Sequence, residues 1–240
     1  AALPEVGVVG ARLLFADGRL QHAGVVPGMS GAADFPWSGR ALDDAGPDAV
    51  LRHAREVPAV GGSCMLISRA LFARLDGFDA GYDAGFGDFD FCLRAREVGA
   101  RVVWTPHAAL MHETGRTLKA VMADTQAADR LQQRFDAGRR RFLARWRTRI
   151  AAEPLYNPNL SLASRKVVVE PHPALARDPV DWHPLPNVFA LPADDAGSGH
   201  YRVGQPARTA HAAATARTRV AAGYPMPLLF DRLGIDTLHT

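Results

Sequence analysis

The sequence has little cysteine, little lysine and no long apolar run, and each scarcity excludes a class of protein. Two cysteines, Cys64 and Cys92, are too few for a disulfide scaffold or a cysteine-based zinc site, and we expect both to be small buried hydrophobic residues. All but two of the 28 basic residues are arginines, and 25 acids leave a net charge of only +3. That surplus does not by itself indicate nucleic acid. No apolar run approaches the roughly 18 residues that span a bilayer.

What is present is a core-forming composition, with 48% hydrophobic residues among 240. The chain starts without Met and stops at FDRLGIDTLHT, so we interpret it as a segment of a longer protein. Of 17 prolines, 11 lie between Pro154 and Pro227. This distribution indicates a Pro-rich linker over residues 163–195. Residues 196–240 regain apolar character and are predicted to begin a second, truncated module, and the glycines of DAGSGH are consistent with a phosphate-binding helix start.

Local patterns predict the elements of the first 150 residues. Asp17-Gly18 between two apolar runs predicts a β-hairpin, with His22 as a surface residue of its second arm. AVGGSCMLI (59–67) reads as a buried strand, and Ser68 as the N-cap of a short helix. The β-branched run Arg101–Trp104 predicts a strand that ends at Pro106.

Two carboxylates stand at a predicted helix start. The helix covers about Phe89 to Val98, with Asp88 as its N-cap and Asp90 in its first turn. First-turn N–H groups and the positive end of the helix favour the ionised carboxylate. An ionised carboxylate at a cleft edge accepts a proton from an attacking hydroxyl. The alternative is purely structural: Asp88 caps the helix and Asp90 is a favourable first-turn acid.

His112 follows the apolar run AALM. A lone histidine in this position is either a structural or solvent-facing residue, or one ligand of a metal ion whose other ligands come from elsewhere. The sequence around it leaves both alternatives open.

Residues 117–150 form the longest helical pattern and contain the cationic run GRRRFLARWRTR (138–149). Phe142 and Trp146 are interleaved with its arginines at helical spacing, which predicts an amphipathic helix with apolar residues inward and arginines in water. Two other interpretations remain: nucleic-acid binding, and contact with an anionic membrane or a phosphate-bearing lipid acceptor.

The stretch from Ala59 to Glu113 combines these features in an order that resembles the acceptor-side half of family 2 glycosyltransferases of the GT-A fold. The residues that carry the resemblance are Arg69, Leu71, Phe72, Gly77, Phe78, Asp79, Asp88, Asp90, Cys92, Arg94, Gly99, Pro106 and His112. Two flanks, GRLQHAGVV (18–26) and EPLYNPNLSL (153–162), are similar to members that build bacterial cell-surface polysaccharides.

The resemblance implies a fold and a domain organisation. The fold is α/β: a partial GT-A domain with a Rossmann-like mixed sheet and flanking helices, followed by an irregular Pro-rich tail. Residues 1–162 would form the acceptor-side half of the glycosyltransferase domain. Most of the nucleotide-binding half, with its Asp-X-Asp motif, is expected upstream of residue 1.

The resemblance also implies roles for individual residues. Asp88 corresponds to the general base that activates the acceptor hydroxyl. His112 corresponds to a histidine that helps to hold a divalent metal, Mn²⁺ or Mg²⁺, on the donor diphosphate. The predicted substrate-binding residues, which shape the acceptor side, are Gly61, Gly62, Asp90 and Arg94. One departure is Gly87, which stands where the family has Glu before the base.

The implied activity is inverting transfer of a sugar from a nucleotide-sugar donor to a glycan or lipid-linked glycan acceptor. The implied location is the cytoplasm, with peripheral contact at the inner face of the membrane. A catalytically incomplete acceptor-binding or scaffold module is the first alternative. A basic module that binds nucleic acid or a membrane surface is the second.

Overall fold

The structure, a computed structural model, describes residues 5–113, 125–176, 184–194 and 196–240. The chain forms two compact units. Residues 1–157 and 162–167 make up the first, and residues 158–161 and 168–240 the second. The sequence-based boundaries at 162 and 195 stay a prediction.

A five-stranded mixed sheet organises the first unit. Its strand order is β2-β1-β7-β5, and β6 pairs with β1. β1 is parallel to β7 and antiparallel to β2 and β6, whereas β5 is antiparallel to β7. β3 and β4 form a separate antiparallel pair. The strands are β1 (Val6–Leu14), β2 (Leu20–His22), β3 (Val26–Pro27), β4 (Ala33–Asp34), β5 (Arg55–Glu56), β6 (Met65–Ile67) and β7 (Arg101–Met111).

In the described part of the first unit, the sheet is flanked by the helices α1 (Arg69–Arg74), α2 (Gly87–Glu97) and α3 (Thr125–Ala151). As predicted, Ser68 caps α1, since its Oγ accepts the Leu71 N–H at 3.1 Å. The apolar stripe of α3 is buried at Phe142, Trp146 and Ile150, which confirms the amphipathic interpretation. The predicted helix residues 117–124 lie outside the described residues. Short 3₁₀ turns cover Met29–Gly31, Pro47–Ala49, Gly62–Cys64 and, in the second unit, Pro173–Leu175.

The mixed sheet with flanking helices confirms the predicted α/β fold class, but two predicted strands were wrong in detail. β7 does not end at Pro106. The β1–β7 register shifts between Ala11, paired with Thr105, and Arg12, paired with Ala109. Pro106 therefore lies in an irregularity where the ladder needs no N–H from it. Only Met65–Ile67 of the predicted strand 59–67 form a strand, since Gly62–Cys64 form a 3₁₀ turn, and Leu66 is 72% exposed.

The Asp17-Gly18 hairpin is confirmed, with Gly18 at φ +81°. The surface position expected for His22 was wrong, because the side chain is buried. β2 is so short that the loop before β6 closes over its end: the Gly61 N–H reaches the His22 ring. Cys92 is buried as predicted, while Cys64 is only half-buried.

The second unit contains a three-stranded parallel sheet in the order β10-β8-β9. Helical segments connect the strands in a β-α-β-α-β sequence, as parallel pairing requires. Phe189, Leu191 and Leu233 lie in its core. The elements are β8 (Asn187–Ala190), α4 (Gly197–Gly199), a π-helical turn (His200–Gly204), α5 (Gln205–Ala212), β9 (Arg217–Val220), α6 (Pro227–Leu233) and β10 (Thr237–His239).

β8 falls inside the range that the prolines mark as a linker. Its four residues, NVFA, lie between Pro186 and Pro192. A high local proline content therefore does not exclude a strand that is buried within a sheet. Within the described ranges, no helix is long and apolar enough to cross a bilayer.

Candidate active site

Asp88 lies in the first turn of α2, not at its cap. The helix starts at Gly87, and the preceding residue is Phe86 at φ +67°, whose side chain makes no capping hydrogen bond. The expectation that Asp88 is the N-cap was therefore wrong by two residues. Its Oδ2 accepts the Gly62 N–H at 2.6 Å, and its Oδ1 accepts the Phe89 N–H at 3.0 Å. The side chain is half-buried and held by backbone amides.

The surroundings of Asp88 change its proton affinity. Burial raises the pKa of the carboxyl above its ordinary value, and the hydrogen bonds from the Gly62 and Phe89 amides offset this only in part. The sequence predicts the hydrogen bonds that lower the pKa of Asp88. It does not predict the burial, which raises that pKa by more. A carboxylate with a raised pKa holds a proton more strongly, which suits a proton acceptor.

The two predicted glycines are close to polar side chains: Gly62 to the half-buried Asp88 and Gly61 to the buried His22. A Cβ on Gly62 would lie 3.3 Å from Asp88 Cβ and Oδ2. The Gly61 N–H donates to His22 Nε2 at 2.9 Å. Burial lowers the pKa of His22 to about 4, so the ring is neutral near pH 7. Sequence reasoning missed His22, although GRLQHAGVV was singled out as a flank of the resemblance.

Asp90 differs sharply from Asp88 in its contacts. Its side chain is fully buried. Arg94 Nε donates to Oδ2 at 2.7 Å, and Trp146 Nε1 donates to Oδ1 at 2.9 Å. The Tyr82 hydroxyl and Arg145 also reach Oδ1, at 3.4 and 3.2 Å. Asp90 thereby joins α2 to α3.

Arg94 fastens α2 to the loop that follows α1. Besides its bond to Asp90, it donates to the Leu75 carbonyl at 2.8 Å and to the Gly77 carbonyl at 2.9 Å. The guanidinium also lies over the Phe91 ring. Planar, multidentate contacts of this kind fix the relative position of the segments they join.

His112 is held by a different set of groups, and its geometry suits a ligand. Its Nδ1 lies 2.7 Å from Gln21 Oε1, and Gln21 Nε2 donates to the His112 carbonyl at 3.1 Å. Because an amide oxygen only accepts, Nδ1 carries the proton and Nε2 keeps its lone pair. A carbonyl oxygen that accepts the ring N–H orients metal-binding histidines in this way. Among the described residues, however, no group of three His, Cys, Asp or Glu side chains could hold a metal ion.

The arginines of α3 meet acidic residues of the loop before α2. Arg141 donates to Asp79 at 2.8 Å, and Arg134 donates to both carboxylate oxygens of Asp83. These pairs lower the pKa of both acids. Part of the cationic run is thus neutralised within the first unit, which weakens the nucleic-acid interpretation.

Comparison with known proteins gives this geometry a family context. Residues 42–127 match the model of the family described as "Glycosyltransferase like family 2". This range includes Gly61, Gly62, Asp88, Asp90 and His112. It also includes the turn and helix that hold Asp88.

Two curated proteins are similar to the chain over most of its length. The "Uncharacterized protein y4gI" of Sinorhizobium fredii is 35% identical over 170 residues, which are 70% of this chain and 18% of that protein. The "O-antigen biosynthesis protein RfbC" of Myxococcus xanthus is 33% identical over 174 residues, 72% of this chain and 13% of that protein. The chain therefore spans less than a fifth of either relative. Residues 42–127 match glycosyltransferase family 2, as the ordered pattern of the chain's residues predicts.

Proposed function

We propose that the protein containing this chain transfers a sugar from a nucleotide-sugar donor to a hydroxyl of a glycan acceptor, with inversion, in the synthesis of a bacterial polysaccharide. The observation that carries the proposal is Asp88, a half-buried carboxylate held by two backbone amides inside the family-matched segment. The likeness to a protein named for O-antigen biosynthesis supports the substrate class.

Asp88 acts as the general base in this proposal. It takes the proton of the acceptor hydroxyl while the acceptor oxygen bonds to the anomeric carbon and the bond from that carbon to the diphosphate breaks. The backbone amides of Gly62 and Phe89 use one lone pair on each carboxylate oxygen, which leaves further accepting capacity for the hydroxyl. Burial raises the pKa of Asp88 and so increases the driving force for proton transfer.

Asp90 and Arg94 contribute to the acceptor side as positioning residues. The Asp90 carboxylate has no exposed surface and binds α3 through Trp146. Arg94 holds the loop after α1 through two carbonyls. Together they keep α2, and therefore Asp88, in a fixed orientation.

His112 would provide one nitrogen ligand to a divalent ion, Mn²⁺ or Mg²⁺, because Gln21 leaves its Nε2 lone pair available. Such an ion, when bound, neutralises the charge of the departing diphosphate. Imidazole among the ligands favours Mn²⁺ over Mg²⁺. The remaining ligands would come from the donor phosphates and from residues outside the described set.

A second candidate applies to the 240 residues alone: an acceptor-binding module without turnover. The observation that favours it is that the chain covers less than a fifth of either relative. Membrane contact through the exposed arginines of α3 belongs to either candidate. We propose no nucleic-acid partner, since acids of the same unit pair with Arg134, Arg141 and Arg145.

The test uses the full-length protein with a panel of UDP-, GDP-, dTDP- and CMP-sugars and measures release of nucleoside phosphate with a polysaccharide extract as acceptor. Asp88→Asn should lower kcat by about 10²–10⁴-fold while donor binding, measured by calorimetry, is retained. Asp43→Asn, an exposed acid, is the matched control and should keep full activity. Turnover that survives in Asp88→Asn would remove Asp88 from the role of base.

A further inference from the structure

Two consecutive side chains of strand β2 contact two different parts of the candidate site. Gln21 fixes the ring of His112, as described above. His22 accepts the N–H of Gly61, the residue next to the one that holds Asp88. Successive side chains of a strand point to opposite faces, so one short strand can supply both contacts. The glycosyl-transfer proposal assigns no role to His22.

The contact between His22 and Gly61 is well defined. The hydrogen bond is buried, and because the Gly61 N–H is the donor, Nε2 is the unprotonated nitrogen and Nδ1 carries the proton. Phe35 packs edge-on against the His22 ring at 5.4 Å between centroids, and Phe35 also packs against Phe89 at 6.0 Å. The ring is therefore fixed by packing as well as by hydrogen bonding.

The charged group that faces His22 also favours its neutral form. Burial is the largest cause that lowers the pKa of His22, and Arg55 on β5 adds a smaller repulsion of a proton on the ring, whereas a hydrogen bond with the Ala11 backbone acts in the opposite direction. Arg55 is itself held by the Ala23 carbonyl, to which it donates at 2.5 Å. The imidazole therefore remains a hydrogen-bond acceptor, and the Gly61 N–H keeps its partner.

A tether at Gly61 matters because two glycines in succession have wide backbone freedom. The Gly61 N–H is fixed by His22, and the Gly62 N–H, one residue later, contacts Asp88 Oδ2 at 2.6 Å. Of these two successive amides, one is anchored in the core and the other directs the carboxylate. If the Gly61 N–H loses its hydrogen bond to His22, the turn can change conformation and move the Gly62 N–H away from Asp88.

We propose that His22 is a positioning residue for Asp88, acting through the Gly61–Gly62 backbone. It holds the turn whose amide orients the carboxylate and stabilises its ionised form. This inference rests on the proposed role of Asp88 as the base. It predicts that the proton affinity of Asp88 depends on an acceptor atom at the position of His22 Nε2.

The first experiment measures the pKa of Asp88 in the 240-residue chain by ¹³C NMR of its carboxyl. His22→Leu removes the acceptor, so the Gly62 amide should withdraw and the pKa of Asp88 should rise by about one unit. His22→Gln places an amide oxygen near the position of Nε2 and should restore the wild-type value. His53→Leu, at an exposed histidine, is the control and should change nothing.

If His22→Leu does not fold, as judged by circular dichroism, His22→Asn replaces it. Asn keeps a polar side chain but is too short to reach the Gly61 amide, so it should raise the pKa of Asp88 as Leu would. An Asp88 pKa that is the same in wild type, His22→Asn and His22→Gln would overturn the inference.

The second experiment separates this inference from the function it rests on, using the nucleotide-sugar assay on the full-length protein. His22→Leu or His22→Asn should lower kcat about tenfold with little change in donor KM, and His22→Gln should recover it. If Asp88→Asn is inactive and the His22 variants keep full kcat, His22 has no positioning role. If Asp88→Asn stays active, the proposed base is wrong whatever the His22 variants do.

Discussion

Asp88 and Asp90 stand two residues apart on α2, yet the protein uses them in opposite ways. Residues i and i+2 of a helix face different sides, so Asp88 meets the Gly61–Gly62 turn and Asp90 meets α3. Backbone amides hold Asp88, which stays half-buried. Four side chains surround Asp90, which has no exposed surface. In the proposed mechanism, the same residue type at the same helix end serves chemistry on one side and helix packing on the other.

The free-energy cost of burying each of these two carboxylates depends on the groups around it. Backbone amides hold Asp88 and offset its burial only in part, so the pKa of its carboxyl is raised. Asp90 is compensated by Arg94 and Arg145. The desolvation of a buried charge is tolerated when partners of this kind are present. Stability should therefore depend on Asp90 and reactivity on Asp88.

The largest expected effect comes from removing the compensated carboxylate. Asp90→Ala leaves Arg94, whose side chain is only 12% exposed, without its partner, and should cost about 3–5 kcal/mol of unfolding free energy. Asp88→Asn should leave that free energy unchanged or raise it, because burial disfavours the ionised carboxylate that the substitution removes. Urea denaturation of the 240-residue chain measures both.

Asp43→Ala, at an exposed acid, controls for loss of a carboxylate and should stay within about 0.5 kcal/mol of wild type. Equal losses of stability in Asp88→Asn and Asp90→Ala would contradict the expectation that stability depends on Asp90 and not on Asp88.

The sequence predicts much of this arrangement through local signals. The Gly18 hairpin, the Ser68 cap and the apolar stripe of α3 depend on neighbours in sequence, and all three are confirmed. The family was predicted from the order of many residues and is confirmed by the match at 42–127. The roles of individual site residues remain predictions, since the geometry is compatible with them but does not test them.

The features that sequence reasoning missed depend on contacts distant in the chain. Trp146 reaches Asp90 across 56 residues, and Gly61 reaches His22 across 39. Local sequence patterns do not predict contacts between residues that are so far apart in the chain. His22 looked like a surface residue because β2 is short and polar, and its burial depends on a loop that returns much later. The start of α2 was misplaced because Phe86 adopts a left-handed conformation that Gly or Asn usually occupies.

An effect of intermediate size is expected in the pH dependence of folding stability. It concerns His22 and Asp88, which both contact the Gly61–Gly62 turn. The pKa of His22 falls from 6.5 to about 4 on folding, so its contribution is complete above pH 6.5 and is lost as pH falls towards 4. The full contribution is about 3 kcal/mol. The pKa of Asp88 is raised, so its uptake of a proton favours the folded state as pH falls. The two groups therefore act with opposite signs.

Urea denaturation at pH 7 and pH 4.5 resolves these contributions. His22→Gln should reduce the loss of stability on acidification, and Asp88→Asn should increase it. Identical losses in wild type and His22→Gln would show that the buried ring does not control acid stability.

The smallest expected effect comes from one methyl group beside the carboxylate. A Cβ on Gly62 would lie 3.3 Å from Asp88 Oδ2, so the carboxylate must yield by a few tenths of an ångström; a Cβ on Gly61 meets its nearest neighbours at 3.5 Å, an ordinary contact. Gly61 already has extended backbone angles, so Gly61→Ala should be neutral or slightly stabilising. Gly62→Ala should cost less than about 1 kcal/mol of stability but should lower kcat more than Gly61→Ala does.

The comparison of these two adjacent alanines isolates displacement of Asp88 from any change in turn flexibility, because each removes one glycine from the same turn. If Gly62→Ala leaves both kcat and the pKa of Asp88 at the Gly61→Ala values, then the close approach of the Gly62 backbone does not set the position of the carboxylate. The distinction between the two sides of α2 would then rest on burial alone.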